Sequence, residues 1–258
     1  PPPGPQGGKG FRGPGVSLDG GLSWRWQGGD SATDRSFVYA FGAEDREVRF
    51  SFGMPYTQAN WERFQTVIGS HPMVRPLTLC RSRKGRAVEM VYLGAPGGRV
   101  AARAAITCRH HCCEMMASYA VEGLVEAMLF DPACRWMRDH VGLMVIPFVD
   151  KDGVEDGDQG KNRAPRDHNR DYDDPQVHPE TAAIRALLPV WGGGRLRAAL
   201  DLHCPWIRGE GNEVVYQVGA GDAEVWAGQR RFGARLAACA RGPLPYDPAS
   251  DIPFGQSW

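Results

Sequence analysis

The chain has 258 residues with 30 basic and 30 acidic side chains, so its formal net charge is zero. This balance creates no field that would attract nucleic acid or an anionic membrane surface, so we expect neither as a partner. No apolar run is long enough to cross a bilayer, while a hydrophobic content of 42% is enough to fill a core. The composition therefore indicates a globular protein with one large domain or two unequal ones.

The first part of the chain has the sequence pattern of short strands. Residues 1–15 are rich in Pro and Gly, and we expect an irregular lead-in there. Residues 16–65 predict a small all-β, sandwich-like domain. Within it, residues 36–41 and 48–52 carry alternating apolar side chains on either side of a polar turn, which predicts a β-hairpin.

The sequence pattern changes after residue 65, and residues 66–258 predict an α/β domain. A strand at 100–108, a helix at 115–129 and a nearly continuous apolar strand at 141–149 have the spacing of a βαβ crossover. The alternation continues with a helix and a strand, at 179–188 and 198–203. We therefore expect a mixed, largely parallel sheet that is flanked by helices.

The sequence predicts the two ends of one helix and the buried face of another. The first can be capped by Thr57 and ends at Gly69, with Trp61, Phe64 and Val67 among its apolar positions. The helix at 115–129 should bury one stripe of side chains. The predicted stripe consists of Met116, Tyr119, Ala120, Leu124 and Met128.

Side chains able to bind a metal follow the predicted strands, at the edge where open α/β sheets place their ligand sites. His111 and Glu114 lie in a strand-to-helix turn, and His203 ends a later strand. Two imidazoles and one carboxylate suit Zn²⁺ and leave a fourth position for water, as in catalytic zinc sites. Taken alone the His-x-x-Glu pair is weak evidence, because a helix N-terminal glutamate has the same spacing. His110 is left out, since strand alternation should turn it to the other face.

A long polar loop covers residues 150–172 after the most apolar strand. Loops of this length in a compact domain are usually functional or disordered. Arg163, Arg166 and Arg170, together with Asn169, could form a fork-shaped site for a carboxylate and a developing oxyanion. Alternatively, the loop is a charged, solvent-exposed segment that binds no ligand.

In this order the motifs resemble the zinc carboxypeptidases of the carboxypeptidase A type, and most closely the cytosolic carboxypeptidase branch. The resemblance covers roughly residues 36–206 and implies the fold predicted above. It rests on these segments: Phe52-Gly-Met-Pro-Tyr-Thr57, His111-x-x-Glu114 followed by Met116-Ala-Ser-Tyr119, Asp152-Gly-Val-Glu155, Asn169-Arg-Asp-Tyr172 and Asp201-Leu-His203.

The resemblance implies a zinc-dependent metallocarboxypeptidase that hydrolyses the C-terminal bond of peptides or protein tails by metal-activated water. The zinc ligands that it implies are His111, Glu114 and His203. Asn169 and Arg170 would bind the terminal carboxylate of the substrate. The arginine that polarises the scissile carbonyl is assigned to Arg163, with Arg166 as the alternative.

Two departures from the family pattern matter. Cys112 and Cys113 stand where the family has Pro-Gly, and the seven cysteines show no disulfide framework, which favours reduced thiols and a cytoplasmic protein. The general base of the family, a glutamate in a late strand, is not found. Its only candidates after His203 are in unmatched contexts: Glu210, Glu213 and Glu224. We therefore expect the α/β domain to be incomplete at its C-terminus.

Two other functions remain open. The chain could be a zinc-dependent deacylase of N-acyl amino acids, which would use the same donor set on a related fold. It could also be a non-catalytic zinc- or peptide-binding relative, because the general base is missing. The oligomeric state is not predicted.

Overall fold

The computed structural model of the chain describes residues 12–33, 36–95, 100–161, 163–205 and 214–256. The chain divides into two compact units, Pro1–Pro205 and Trp206–Trp258. The strands are β1 (Gly15–Ser17), β2 (Arg25–Trp26), β3 (Arg49–Ser51), β4 (Val74–Arg81), β5 (Ala87–Leu93), β6 (Ala102–Cys108), β7 (Val141–Ile146) and β8 (Leu196–Leu202). The helices are α1 (Gln58–Ile68), α2 (Met116–Phe130), α3 (Arg135–His140), α4 (Lys151–Asp156), α5 (Pro179–Gly192) and α6 (Ala223–Cys239).

The predicted domain boundary between residues 65 and 66 falls inside α1, and it stays a prediction. The side chains of Trp61, Phe64 and Ile68 on this helix are buried in the main core, against residues of the large sheet. Most of the predicted lead-in, residues 1–11, lies outside the described residues.

A small antiparallel sheet of order β2-β1-β3 precedes the large one. The predicted hairpin between residues 36–41 and 48–52 is wrong, because β3 pairs with β1 and Phe37 forms only an isolated bridge to Ala32. The alternating aromatic side chains of these two segments still meet. The ring of Phe50 lies 5.0 Å from that of Phe37 and 5.1 Å from that of Tyr39. The apolar pattern thus indicates that the side chains of the two segments pack together, although their backbones do not pair as strands.

The large sheet has five strands in the order β4-β5-β7-β6-β8. Strand β6 is parallel to both β7 and β8, whereas β4, β5 and β7 pair in antiparallel fashion. This confirms the prediction of a mixed sheet with a βαβ crossover through α2. All six residues of β7 are buried, as expected for a continuous apolar strand covered on both faces.

The helices follow the predicted positions but not always the predicted faces. Thr57 and Asn60 form a capping box at the start of α1, and Gly69 ends this helix, as expected, although Val67 is exposed. The predicted face of α2 is wrong in part, since Met116 and Ala120 are exposed, whereas Met128 is buried and Tyr119 and Leu124 pack against the core. The face that it buries consists of Ala117, Ser118, Val121, Val125, Met128 and Leu129.

The predicted polar loop at 150–172 is not irregular throughout. It begins with α4, where the Asp150 side chain accepts a hydrogen bond from the backbone N–H of Gly153, and it ends near a 3₁₀ turn at His168–Arg170. All seven cysteines are free thiols. Among the described residues, no helix combines the length and apolar character that a membrane span needs.

The second unit contains α6, which Asp222 caps by accepting hydrogen bonds from the backbone N–H groups of Glu224 and Val225. A polar cluster holds its described segments together. The hydroxyl of Tyr246 donates to Asp251 Oδ2 at 2.8 Å, and the backbone N–H of Gln217 donates to Asp251 Oδ1 at 2.8 Å.

Candidate active site

The three predicted metal-binding side chains meet at one edge of the large sheet. Strands β6 and β8 are parallel neighbours whose ends are in register, Cys108 opposite Leu202. The residues that follow both strands therefore emerge at the same place. His111 and Glu114 lie in the turn between β6 and α2, and His203 comes directly after β8.

The carboxylate of Glu114 joins the two histidines. Its Oε1 lies 3.0 Å from His111 Nδ1, and its Oε2 lies 2.6 Å from His203 Nδ1. The three side chains offer ligand atoms that all lie within 4.8 Å of one another. Two imidazole nitrogens and one carboxylate oxygen at this spacing are the donor types of a catalytic zinc site, so the residues present fit the metal.

Two further carboxylates orient the histidine rings. Asp167 Oδ2 lies 3.1 Å from Nε2 of His111, and Asp201 Oδ2 lies 2.8 Å from Nε2 of His203. In its neutral form, a ring that donates its Nε2–H to a carboxylate keeps the lone pair on Nδ1, the nitrogen that faces Glu114. Asp201 belongs to a motif in the sequence that predicted no role for it. Asp167 was not predicted at all, because its partner His111 lies far away along the chain.

The electrostatics of the cluster favour an ionised Glu114. Burial would raise the pKa of Glu114, but hydrogen bonds with His111 and His203 outweigh it and lower the pKa well below its ordinary value. Burial alone would lower the pKa of His203, whereas its contacts with Asp201 and Glu114 raise it to about 10. The ammonium of Lys161 lies 3.1 Å from Glu114 Oε1. Positive groups thus gather around an ionised carboxylate.

A buried arginine that the sequence analysis missed supports the metal-binding turn. Arg109 has a φ of 64°, in the left-handed region, and its guanidinium lies in the interior. The guanidinium donates to the carbonyl oxygens of Cys112, at 2.8 Å from Nε, and of Tyr56, at 3.0 Å, and to the hydroxyl of Ser118 at 2.9 Å. It thereby ties the turn to α2 and to the segment before α1.

His110 lies closer to the site than strand alternation predicted. Its Nδ1 is 2.8 Å from Asp201 Oδ1, and its Nε2 is 2.6 Å from the hydroxyl of Tyr172. The alternation ends at Cys108, because the left-handed backbone of Arg109 changes the direction of the residues that follow. His110 thus contacts the carboxylate that orients His203.

The two residues predicted to bind a substrate carboxylate lie in the 3₁₀ turn His168–Arg170. The side-chain nitrogen Nδ2 of Asn169 is 3.0 Å from His203 Nε2, so the turn reaches the metal cluster. Arg170 is exposed, and its guanidinium contacts the carbonyl oxygen of Asn169 at 3.3 Å. Within the described part of the chain it has no carboxylate partner, so its charge remains accessible to an anion.

The two arginines considered for oxyanion stabilisation are both held by carboxylates. Arg163 Nη2 lies 2.6 Å from the buried Asp150, and its Nη1 lies 3.0 Å from Asp158. Arg166 lies 3.2 Å from Asp171. Both assignments stay predictions.

The three candidates for the general base stay predictions. Glu210 and Glu213 lie outside the described part of the chain. Glu224 lies in the first turn of α6 in the second unit. The base stays unassigned.

Comparisons with known proteins identify the family to which the chain belongs. Residues 63–193 match the sequence profile of the zinc carboxypeptidase family. Cytosolic carboxypeptidase 2 of Danio rerio is 32% identical over 128 residues, which cover 46% of this chain and 18% of that protein. Cytosolic carboxypeptidase 6 of Mus musculus is 26% identical over 165 residues, which cover 59% of this chain and 30% of that protein. The chain thus spans less than a third of the length of either relative.

Solved structures share the fold. The metallo-carboxypeptidase from Pseudomonas aeruginosa, in complex with (2-guanidinoethylmercapto)succinic acid, superposes with a TM-score of 0.71 at 20% identity, over 96% of this chain and 72% of that one. The metallo-carboxypeptidase from Burkholderia cenocepacia gives a TM-score of 0.70 at 20% identity, over 94% of this chain and 64% of that one. With a family profile that covers half of its residues, the chain belongs to the zinc carboxypeptidase family.

Proposed function

We propose that the chain acts as a zinc-dependent metallocarboxypeptidase, which hydrolyses the C-terminal peptide bond of peptides or protein tails. One observation carries the proposal. The donor atoms of His111, Glu114 and His203 converge within 4.8 Å, and Asn169 contacts the last of these residues at 3.0 Å. The cluster proposed to bind the metal is thus adjacent to the turn that carries Asn169 and Arg170, and cleavage next to a terminal carboxylate requires such an arrangement.

His111, Glu114 and His203 would hold the metal. When bound, zinc would lower the pKa of a water molecule and polarise the scissile carbonyl. Asp167 and Asp201 accept hydrogen bonds from the outer nitrogens of the two histidines, which keeps the Nδ1 lone pairs directed at the metal position. Orientation by carboxylates also makes the imidazoles more basic and strengthens them as ligands.

Arg170 and Asn169 would bind the terminal carboxylate of the substrate. The guanidinium of Arg170 is exposed and lacks a carboxylate partner among the described residues, so it can form a charge-assisted pair with an incoming anion. Arg163 is our candidate for the oxyanion, and for this it would have to share its guanidinium with Asp150. We also infer a cytosolic location from the seven free thiols and from the naming of the relatives.

The metal assignment is tested by zinc content and turnover. We expect His111→Ala to lose one equivalent of zinc and all hydrolysis of a peptide with a free C-terminus. His140→Ala, which changes an exposed histidine at the end of α3, is the matched control and should keep both. Unchanged zinc content in His111→Ala would overturn the ligand assignment.

The choice of substrate is tested with three compounds of matched sequence. A peptide with a free C-terminus should be cleaved, whereas the same peptide with an amidated C-terminus should not, because the amide cannot pair with Arg170 as an anion. Preferred cleavage of an N-acyl amino acid would favour a deacylase instead. Zinc binding without turnover of any of the three would favour a non-catalytic binding protein.

The carboxylate-binding role is tested by Arg170→Met. Loss of one charge-assisted pair costs about 1.5–3 kcal/mol, so kcat/KM should fall roughly 10- to 100-fold. Arg197→Met, on the exposed face of β8, is the control and should leave kcat/KM unchanged. Equal values for the two variants would exclude Arg170 from substrate binding.

A further inference from the structure

Asp201, the carboxylate that faces His203, is the more exposed of the two carboxylates that orient the histidine rings. Its side chain is 36% exposed, against 21% for Asp167. It also lines an open cleft between the large sheet and α5. The torsion that turns an aspartate carboxylate is soft, so contacts with its two oxygens must fix its orientation. Solvent would turn this carboxylate away from His203 unless another group holds it.

Both carboxylates give one oxygen to a histidine ring and have the other oxygen fixed. Oδ1 of Asp167 accepts a hydrogen bond from the backbone N–H of Asn169 at 2.7 Å. Oδ1 of Asp201 accepts a hydrogen bond from the hydroxyl of Thr107 at 2.8 Å. Thr107 is buried and lies directly opposite Asp201 in the parallel pair of β6 and β8. A local backbone turn thus fixes Asp167, whereas a side chain of the neighbouring strand fixes Asp201.

A second group reaches the same oxygen of Asp201 from the turn after β6. Nδ1 of His110 lies 2.8 Å from Oδ1, as a close polar contact rather than an aligned hydrogen bond. The other ring nitrogen of His110 lies 2.6 Å from the hydroxyl of Tyr172. Because the aligned hydrogen bond to Oδ1 comes from Thr107, its hydroxyl determines which way the carboxylate faces. With Oδ1 held, Oδ2 lies 2.8 Å from Nε2 of His203.

The position of this carboxylate decides which nitrogen of a neutral His203 carries the proton. Nε2 of His203 has two neighbours, Asp201 Oδ2 at 2.8 Å and Asn169 Nδ2 at 3.0 Å. Donation from Nε2 to the carboxylate leaves the lone pair on Nδ1, the nitrogen that faces Glu114. Acceptance of a hydrogen bond from the Asn169 amide would instead require the proton on Nδ1. A carboxylate held at Nε2 therefore selects the tautomer that can bind a metal at Nδ1.

We propose that Thr107 is a positioning residue for the zinc ligand His203 and acts through the carboxylate of Asp201. This role rests on the proposed function, in which His203 binds zinc. The hydroxyl holds Oδ1, so that Oδ2 accepts the Nε2–H of His203 and the lone pair stays on Nδ1. Loss of the hydroxyl releases the carboxylate toward the cleft and lets Nε2 accept a hydrogen bond from Asn169.

The dissociation constant of zinc, measured by competition with a chromophoric chelator, tests this role. Thr107→Val keeps the shape of the side chain without the hydroxyl, and we expect it to raise the dissociation constant about 3- to 10-fold. Thr107→Ser keeps the hydroxyl and should keep the wild-type value. Thr78→Val is the control, because it makes the same exchange at an exposed position of β4, at the other edge of the sheet, and it should also keep this value.

Thermal unfolding of the metal-free variants separates positioning from a structural role. Thr107→Ser removes a buried methyl group and should lower the Tm, although its zinc affinity is unchanged. If zinc affinity instead followed the Tm across the Val and Ser variants, Thr107 would act through the stability of the fold, and the positioning role would be wrong.

A double-mutant cycle shows through which residue Thr107 acts. Asp201→Ala should raise the dissociation constant of zinc about 10- to 100-fold, as loss of the outer contact of a metal-bound histidine does. Addition of Thr107→Val to this variant should cause no further rise. A further rise as large as in the wild-type background would overturn the action through Asp201.

The outcomes separate this role from the proposed function. Absence of zinc from the wild type, or unchanged zinc content in His111→Ala, would overturn the proposed metal site and this role with it. Wild-type zinc affinity in Thr107→Val, together with loss of zinc in His111→Ala, would overturn only the role of Thr107. If circular dichroism shows that Thr107→Val does not fold, Thr107→Ala replaces it, since Ala and Ser at this position differ only by the hydroxyl group.

Discussion

Two turns meet at the candidate site, and they are built in opposite ways. The metal turn, residues 109–114, is buried over most of its length and is held from inside by the guanidinium of Arg109. The substrate turn, residues 163–172, is largely accessible, and the buried Asp171 holds its end. Metal ligands must keep one geometry in a dry place, whereas a cation that recognises an incoming carboxylate must remain in contact with solvent. The following substitutions test this contrast.

The largest expected effect comes from the arginine of the metal turn. Arg109→Met keeps the aliphatic stem and leaves the carbonyl oxygens of Cys112 and Tyr56 without their donor. Unpaired buried acceptors cost about 1–3 kcal/mol each, so we expect the free energy of unfolding to fall by about 3 kcal/mol or more. Urea denaturation measures this change.

The same substitution in the substrate turn is the matched control. Arg170 is exposed, and Arg170→Met should change the free energy of unfolding by less than about 0.5 kcal/mol. If both arginine variants lose the same stability, the two turns do not differ in the way described above.

A smaller effect is expected at the end of the substrate turn. Asp171 accepts hydrogen bonds from the Thr181 hydroxyl at 2.6 Å and from the backbone N–H of His178 at 2.8 Å. Hydrogen bonds to a charged group contribute about 1.5–3 kcal/mol, so Asp171→Asn should cost about 2 kcal/mol at neutral pH. Asp174→Asn is the control, since the pair of Asp174 with Arg185 is exposed and screened by solvent and contributes little to stability.

The effect of Asp171→Asn should depend on pH. Burial alone would raise the pKa of Asp171, but the hydrogen bonds from Thr181, His178 and Val177 lower it below its ordinary value of 3.8. A carboxyl group with a lowered pKa in the folded state stabilises the fold above its ordinary pKa and loses this contribution on acidification. The stability difference between wild type and variant should therefore shrink below about pH 4. A constant difference down to the lowest pH at which the protein folds would contradict this origin.

The smallest expected effect is the difference between alanine substitutions at two glycines beside the metal turn. Gly160 has a φ of 82°, and a Cβ added there would lie 2.6 Å from the backbone nitrogen of Cys112. Gly157 has a φ of 74°, and a Cβ added there would meet nothing within 4 Å. Gly157→Ala should cost only the backbone strain, about 1 kcal/mol, and leave zinc affinity unchanged.

Gly160→Ala should cost about 1 kcal/mol more than Gly157→Ala, because the added methyl group pushes on the metal turn. It should also weaken zinc binding, since Cys112 lies between the two ligands that this turn contributes. Thermal unfolding and zinc titration measure the two effects. Equal results for the two glycines would show that the metal turn tolerates displacement.

Features that depend on neighbouring residues were predictable from the sequence. The capping residue Thr57 and the terminator Gly69 act through local backbone hydrogen bonds, and both are found where the pattern predicted them. The convergence of His111, Glu114 and His203 was also predictable, because parallel neighbouring strands place their carboxyl ends together.

Features that depend on distant partners were decided only by the tertiary structure. The sequence shows the aromatic pattern around Phe37 but not that β1, instead of the segment around Phe37, pairs with β3. It likewise shows His110 but not the left-handed backbone of Arg109 that turns this histidine toward Asp201. The face that α2 buries, with Ala117, Val121 and Val125, has the same helical period as the predicted stripe, and packing in the core decided between the two. By itself the sequence determined the local elements and the ligand types, whereas the carboxylates, carbonyls and core surfaces that hold them come from segments that only folding brings together.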